Sequence, residues 1–382
     1  MKSDVFSRCC ILINCSNLKI GGGIQVAHSF INKLSEFNEY FFVVVVSDSL
    51  KFELEDFAVP TNVKFINYNV IASPLNAILG INYFLDNVVK EENIIAVFSV
   101  FGPTYWRPKV SHLVGYAIPH YVYKDSPFFA NISMYYRFKL KIMEFFHLFD
   151  FKYNNSSIVT ENEDVTKRLK NILVNKEIHT VSNYYHQIFD DPSHWDRTLK
   201  IPKFSGFTLL TISANYPHKN LLIIKKVVRQ LKEIYPDFRV RFILTVNESE
   251  YLNASDTDIK ENILCIGKIN INQCPALYEL CDIVFLPTLL ECFTAAFPEA
   301  MRMRKPLMTS YLNFAIALSG DAALYFNPLN VKEIAEQIYQ IVYDDDLKVR
   351  LVETGTKQLR TFDNYTIRAK KYIQLVSKSI NY

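Results

Sequence analysis

Residues 286–301 read L-P-T-L-L-E-C-F-T-A-A-F-P-E-A-M and set two carboxylates, Glu291 and Glu299, eight positions apart around a loop of small residues. Carboxylates so placed can accept hydrogen bonds from the hydroxyls of a polar ligand. The apolar run 282–286 predicts a strand, closed by the turn signals Pro287 and Thr288. Pro298 suits the first turn of a helix, because it has no N–H to lose there and its φ is already helical. Glu299 then falls beside the free backbone N–H groups of a helix start, and Glu291 on the loop leading to it. Both carboxylates can therefore face one crevice at the carboxyl end of a strand, where open α/β sheets bind ligands.

Other residues could join such a crevice. The stretch 213–221, S-A-N-Y-P-H-K-N-L, lies between a predicted strand and a predicted helix. Lys219 there can neutralise a diphosphate, with Asn215 and His218 beside it; the alternative is a solvated surface lysine. Gly21, Gly22 and Gly23 open a helix after the first strand. A dinucleotide fingerprint would need a third glycine where Val26 stands, although Asp48 could imitate its ribose-binding acid. The run is otherwise open between a phosphate cradle, where glycine lets the backbone come close, and a simple tight turn. His120 follows a strand end in I-P-H-Y-V-Y-K-D and is open between a ligand contact and a packed structural residue. Asp256 and Asp258 have the D-x-D spacing of a metal site but lie in a polar loop, and 344–346 reads as a solvated helix junction. No metal is expected at either.

The pair Glu291 and Glu299 resembles the E-x7-E motif of retaining glycosyltransferases of family 4. The segments K-P-L-M-T-S (305–310) and G-D-A-A-L-Y-F-N-P (320–328) follow it in the family's order. The resemblance implies a GT-B fold, two Rossmann-like doubly wound α/β domains facing a central cleft. It gives Glu291 the transferred sugar, Glu299 the ribose of the nucleotide, Lys219 the phosphates and His120 the sugar from the first domain. Gly22, Gly23, Phe293, Thr294 and Ala295 then lie along the nucleotide-sugar donor. Two departures stand out: Ser213 occupies the place of a phosphate-binding arginine, and 292–297 differ from the usual motif interior, so the sugar is not identified. No cofactor or metal is implied.

The elements that must position these residues alternate strand and helix, the mark of doubly wound domains. Strands are expected at 9–14, 41–46, 63–68, 94–100, 110–118, 157–160 and 178–182, with helices from Gly21 to about 34, at 131–149 and at 164–172. The polar stretch 190–202, with two prolines, reads as a linker. The alternation restarts with strands at 208–213, 239–246 and 263–266 and helices at 222–234 and 274–280, followed by the E-x7-E segment. Helices at 333–343, 347–358 and 365–379 complete the chain, the last crossing back to the first domain in the family. The expected domains are thus 1–190 and 203–364, with 365–382 packing on the first.

A formal net charge of +3 over 382 residues is too small to argue for nucleic acid. The seven cysteines show no metal or disulfide spacing and read as free thiols in a reducing compartment. Residues 1–8 are polar, unlike a secretion signal, and no apolar run approaches a bilayer span, so a cytoplasmic location is expected. Many of the 29 Phe and 23 Tyr crowd into 101–153. There Arg137, Lys139 and Lys141 interleave with Tyr135, Tyr136, Phe138, Phe145 and Phe146. Such a helix can lie on an anionic membrane face, where the family often meets a lipid-linked glycan acceptor; the alternative is a core helix with snorkelling cations. The donor, a glycan or polyprenyl-linked acceptor and this surface are the expected partners, in polysaccharide or O-antigen assembly. Two rivals are a GT-B nucleotide-sugar epimerase, which needs no acceptor, and a non-catalytic nucleotide-sugar-binding protein, suggested by Ser213.

Overall fold

The structure, a computed structural model, describes residues 9–19, 21–54, 58–71 and 73–378. Residues 1–8, whose composition bears on a secretion signal, and the last residue of the expected C-terminal helix lie outside the described residues. The chain divides into two compact units, Met1–Val122 with Ile132–His186 and Asp363–Tyr382, and Tyr123–Asn131 with Gln187–Phe362.

In the first unit β1 (Cys9–Cys15), β2 (Tyr40–Val46), β3 (Val63–Asn67), β4 (Ile94–Ser99), β5 (Ser111–Tyr116), β6 (Ser157–Thr160) and β7 (Glu177–Thr180) form one sheet. Its order is β3-β2-β1-β4-β5-β6-β7, and every pairing is parallel. Such strands are covered on both faces and so read as unbroken apolar runs; Tyr40–Val46, Y-F-F-V-V-V-V, is the plainest case. The helix Tyr365–Lys378 belongs here: Ala369, Tyr372, Ile373 and Val376 join the core of Ile11, Phe30 and Phe98. Tyr372 meets Phe30 edge-on at 5.5 Å, a favoured aromatic geometry. Its Arg368 is fully buried and donates to Ser29 Oγ at 2.8 Å and to Asn183 Oδ1.

The second unit repeats the plan with β8 (Phe207–Thr211), β9 (Val240–Leu244), β10 (Ile263–Cys265), β11 (Ile283–Leu286), β12 (Leu307–Ser310) and β13 (Ala323–Phe326). Its parallel order is β10-β9-β8-β11-β12-β13. In each sheet the winding reverses beside the first strand, between β1 and β4 and between β8 and β11. The loops leaving the carboxyl ends of those strands therefore border a crevice, the general ligand position of such sheets.

Candidate active site

Topology brings the two charged loops of the second unit side by side. The loop after β8 carries Ser213 to Asn220, and the loop after β11 carries Pro287 to Ala295. Thr211 Oγ1 donates to Phe285 O at 2.5 Å between the strands, and Leu289 N–H donates to His218 O at 2.7 Å between the loops themselves. Asn220 ends the first loop with φ 54°, a left-handed conformation that asparagine tolerates, and its amide donates to Pro328 O at 3.0 Å. The helix Leu222–Ile234 starts there.

On this frame Lys219 Nζ donates to Glu291 Oε1, an ion pair of two largely covered side chains. Such a pair offers a cation to an anion and a carboxylate to hydroxyl donors. His218 is kept neutral: burial, reinforced by the adjacent Lys219 cation, lowers its pKa to about 4. Tyr216 stacks on its ring at 5.6 Å. Asn215 is exposed, its amide reaching Glu250 O at 3.4 Å. Ser213 donates its N–H to Thr245 Oγ1 at 2.9 Å and offers no cation in place of an arginine.

Glu299 lies differently from the sequence expectation. The helix begins at Ala296, three residues before it, so the Glu299 N–H already closes the first turn onto Ala295 O at 2.9 Å. Pro298 still sits in that first turn without forfeiting a bond. The carboxyl is buried, with Tyr278 Oη donating to Oε2 at 2.8 Å. Burial raises its pKa to about 7, and the tyrosine bond pulls the other way. Tyr278 was not singled out from the sequence. A tyrosine inside an apolar helix needs a partner for its hydroxyl, but nothing in the sequence says which.

Phe293, Thr294 and Ala295 are half-buried on the loop between the two glutamates, and Cys292 is buried. Phe293 meets Phe362 edge-on at 6.0 Å. His120, Gly22 and Gly23 belong to the first unit. His120 is half-buried in the short helix Pro119–Val122. Gly22 and Gly23 are the first residues of the helix Gly22–Ile31, while Gly21 before them takes φ 77°. Asp48 is engaged by Asn67 at 2.8 Å and Asn69 at 2.6 Å. Asp256 pairs with Lys225 at 2.6 Å and Arg229 at 2.9 Å, and Asp258 with Arg229 at 2.8 Å. Among the described residues, no three His, Cys, Asp or Glu side chains gather where they could hold a metal.

The aromatic segment forms the helix Met134–Tyr153 of the first unit. Much of it is not core: Tyr135 is 78%, Phe138 64% and Phe145 63% exposed, among exposed Arg137, Lys139 and Lys141. Tyr136 and Phe146 are more covered. No helix among the described residues is long and apolar enough to cross a membrane.

Residues 200–358 match the family described as glycosyl transferases group 1. No curated protein matches the chain. Among solved structures, it resembles a glycosyltransferase of Rickettsia africae ESF-5 at 15% identity and TM-score 0.68, covering 98% of this chain and 99% of that one. Sucrose-phosphate synthase of Thermosynechococcus elongatus is similar at 11% identity and TM-score 0.68, covering 97% and 99%. Anabaena HepE in complex with UDP-glucose is similar at 14% identity and TM-score 0.65, covering 97% and 99%. The fold is thus of the GT-B type, and the stretch bearing Lys219, Glu291 and Glu299 falls inside the family match.

Proposed function

We propose that this chain is a retaining, metal-independent glycosyltransferase of the family 4 kind. It moves a sugar from a nucleotide-sugar donor to a glycan or polyprenyl-linked acceptor, in the assembly of a cell-surface polysaccharide such as O-antigen. The observation that carries the reading is the Lys219–Glu291 pair at the neighbouring carboxyl ends of β8 and β11, within the stretch similar to glycosyl transferases group 1. The UDP-glucose named with Anabaena HepE supports a nucleotide-sugar as donor.

In this reading the second unit binds the donor. The bond between the anomeric carbon and the diphosphate breaks, leaving charge on phosphate oxygens, and Lys219 is the cation that stabilises it. The acceptor hydroxyl adds to the anomeric carbon on the face the diphosphate leaves, and its proton passes to the departing phosphate. Glu291 orients the sugar through its hydroxyls, and Glu299 holds the ribose. His120, Gly22 and Gly23 serve acceptor and donor from the first unit. The exposed aromatic and basic face of the helix Met134–Tyr153 rests on an anionic membrane surface at the cytoplasmic side, with cations at the headgroups.

A thermal-shift screen against UDP-, GDP-, dTDP- and ADP-sugars tests the donor, and incubation of the stabilising sugar with and without a lipid-linked glycan tests transfer. Stabilisation by one of them, with turnover only when acceptor is present, is the expected result. Turnover of donor alone into an epimer would replace this reading with an epimerase, and binding with no turnover at all with a non-catalytic binding protein.

A further inference from the structure

The arm Tyr123–Asn131 lies in the chain between β5 and β6 of the first sheet, yet it groups with the second unit. There it meets the candidate site's own loops. Ser126 Oγ donates to Leu289 O at 2.6 Å, and both residues are buried. Leu289 passes the connection on, since its N–H donates to His218 O at 2.7 Å. Phe128, also buried, sets its ring edge-on to His218 at 6.4 Å. Asn313 donates to Asp125 at 3.1 Å, and Tyr123 meets Phe314 at 6.2 Å. The bonds thus run from the Ser126 hydroxyl to the carbonyl of Leu289 and from the N–H of Leu289 to His218, the neighbour of Lys219, while Glu291 follows Leu289 by two positions.

Neither loop has regular structure where it carries Lys219 and Glu291, apart from one 3-10 turn, Pro217–Lys219. Their register rests on the bonds between them and on bonds from outside. A buried carbonyl left without a donor costs free energy, so the Ser126 bond constrains where Leu289 can sit. We propose that Ser126 is a positioning residue of the candidate donor site, holding Leu289 and through it His218, so that Lys219 and Glu291 meet in one orientation. This rests on the donor reading given above. The bond spans 163 positions in the chain, so residues between the fifth and sixth strands of one sheet set the geometry of loops on the other.

Three variants and two readouts test it. In Ser126→Ala, hydrogen exchange at the Leu289 amide should speed up about tenfold. The Kd for whichever of UDP, GDP, dTDP and ADP binds the unaltered protein should rise about tenfold. Ser126→Cys, nearly the same size with a weaker donor, should fall between. Asn313→Ala removes an exposed contact of the same arm and should leave both readouts unchanged. Unaltered Leu289 exchange in Ser126→Ala overturns the proposal whatever the nucleotides do. Faster exchange with unchanged nucleotide affinity overturns it too, leaving only a structural bond. If the unaltered protein binds none of the four nucleotides, the donor reading falls and the positioning role with it, and the exchange measurement separates that failure from a missing strap.

Discussion

The two units are wound alike, and what differs is the chemistry at their equivalent ends. In the second, the loops beyond β8 and β11 bring together a cation and a carboxylate, Lys219 and Glu291. In the first, β1 and β4 and the loops beyond them bring together neutral groups. Asn14 donates to Ser99 Oγ at 3.0 Å, Ser99 meets His112 Nε2 at 2.8 Å, and Asn17 donates to Phe101 O at 2.7 Å. His112 Nδ1 lies 3.1 Å from Asn154 O, so that nitrogen carries the hydrogen and Nε2 accepts from Ser99. One topology thus serves a charged crevice in one unit and a neutral network in the other. Function lives in the loops grafted on the sheet, not in the sheet.

The largest expected effect breaks the charged side of the comparison. Glu291→Gln should lower transfer about 100-fold, the scale of losing one preorganised transition-state contact. Nucleoside diphosphate affinity should stay the same or tighten, because Lys219 is released from its partner. Steady-state transfer assays and calorimetry on the same protein check both halves. A collapse of nucleotide binding equal to the loss of transfer would mean that Glu291 serves to hold Lys219 and does not touch the sugar.

Next comes the outward face of the first unit. Lys139→Ala with Lys141→Ala should weaken co-sedimentation with anionic phospholipid vesicles roughly 30-fold at low salt. High salt should erase the difference, and nucleotide affinity should not move. Equal sedimentation of both proteins at low salt would remove the membrane from the proposed function.

One buried group in each unit, His112 and Glu299, should also answer pH with opposite signs. Burial lowers the His112 pKa to about 3, against 6.5 for an ordinary imidazole. The unfolded chain therefore takes up a proton that the native state refuses, and this contribution to stability is lost as pH falls below about 6.5. Glu299 is the reverse. Raised to about 7 from 4.5, it keeps its proton in the native state, so its contribution is present below about 4.5 and fades as pH rises toward 7. Each amounts to about 3–5 kcal/mol at most. His218, lowered to about 4, runs against Glu299 within the second unit. Hydrogen exchange of core amides in β4 and in β8, followed across this range, reads the units separately. His112→Gln should flatten the acid-side loss in the first, and Glu299→Gln should remove the fading component in the second.

The candidate site was legible in the sequence where its parts are close in the chain or where topology is generic. Glu291, Pro298 and Glu299 lie within one strand–loop–helix passage, and parallel winding alone puts the loop of Lys219 beside it. Tyr278, which meets Glu299, and Ser126, which meets Leu289, carried no signal. A hydroxyl inside an apolar stretch says that a partner exists, and a pairing across an irregular arm leaves no periodicity to read. The helix of Tyr135 and Phe138 failed to declare its side for another reason. Apolar residues surround it almost evenly, so pattern could not separate a core helix from a surface one, and only exposure decides.

The smallest effects concern the turns that open the equivalent helices. Gly21 adopts φ 77° and ψ −158°, a region essentially confined to glycine, so Gly21→Ala should cost about 1–3 kcal/mol. Gly22 is different. A Cβ there would meet nothing within 4 Å, and its φ is ordinary. Gly22→Ala should therefore leave stability unchanged or raise it by a few tenths of a kcal/mol, because alanine loses less chain entropy in a helix. At the matching turn of the second unit Asn220 does the work of Gly21, tied by its side chain to Pro328 O. Thermal melting ranks the variants, and transfer assays then separate the two reasons for a glycine. Gly22→Ala that melts normally but transfers poorly places a ligand against the backbone at Gly22. Full activity in that variant would confine the glycine requirement to the turn at Gly21.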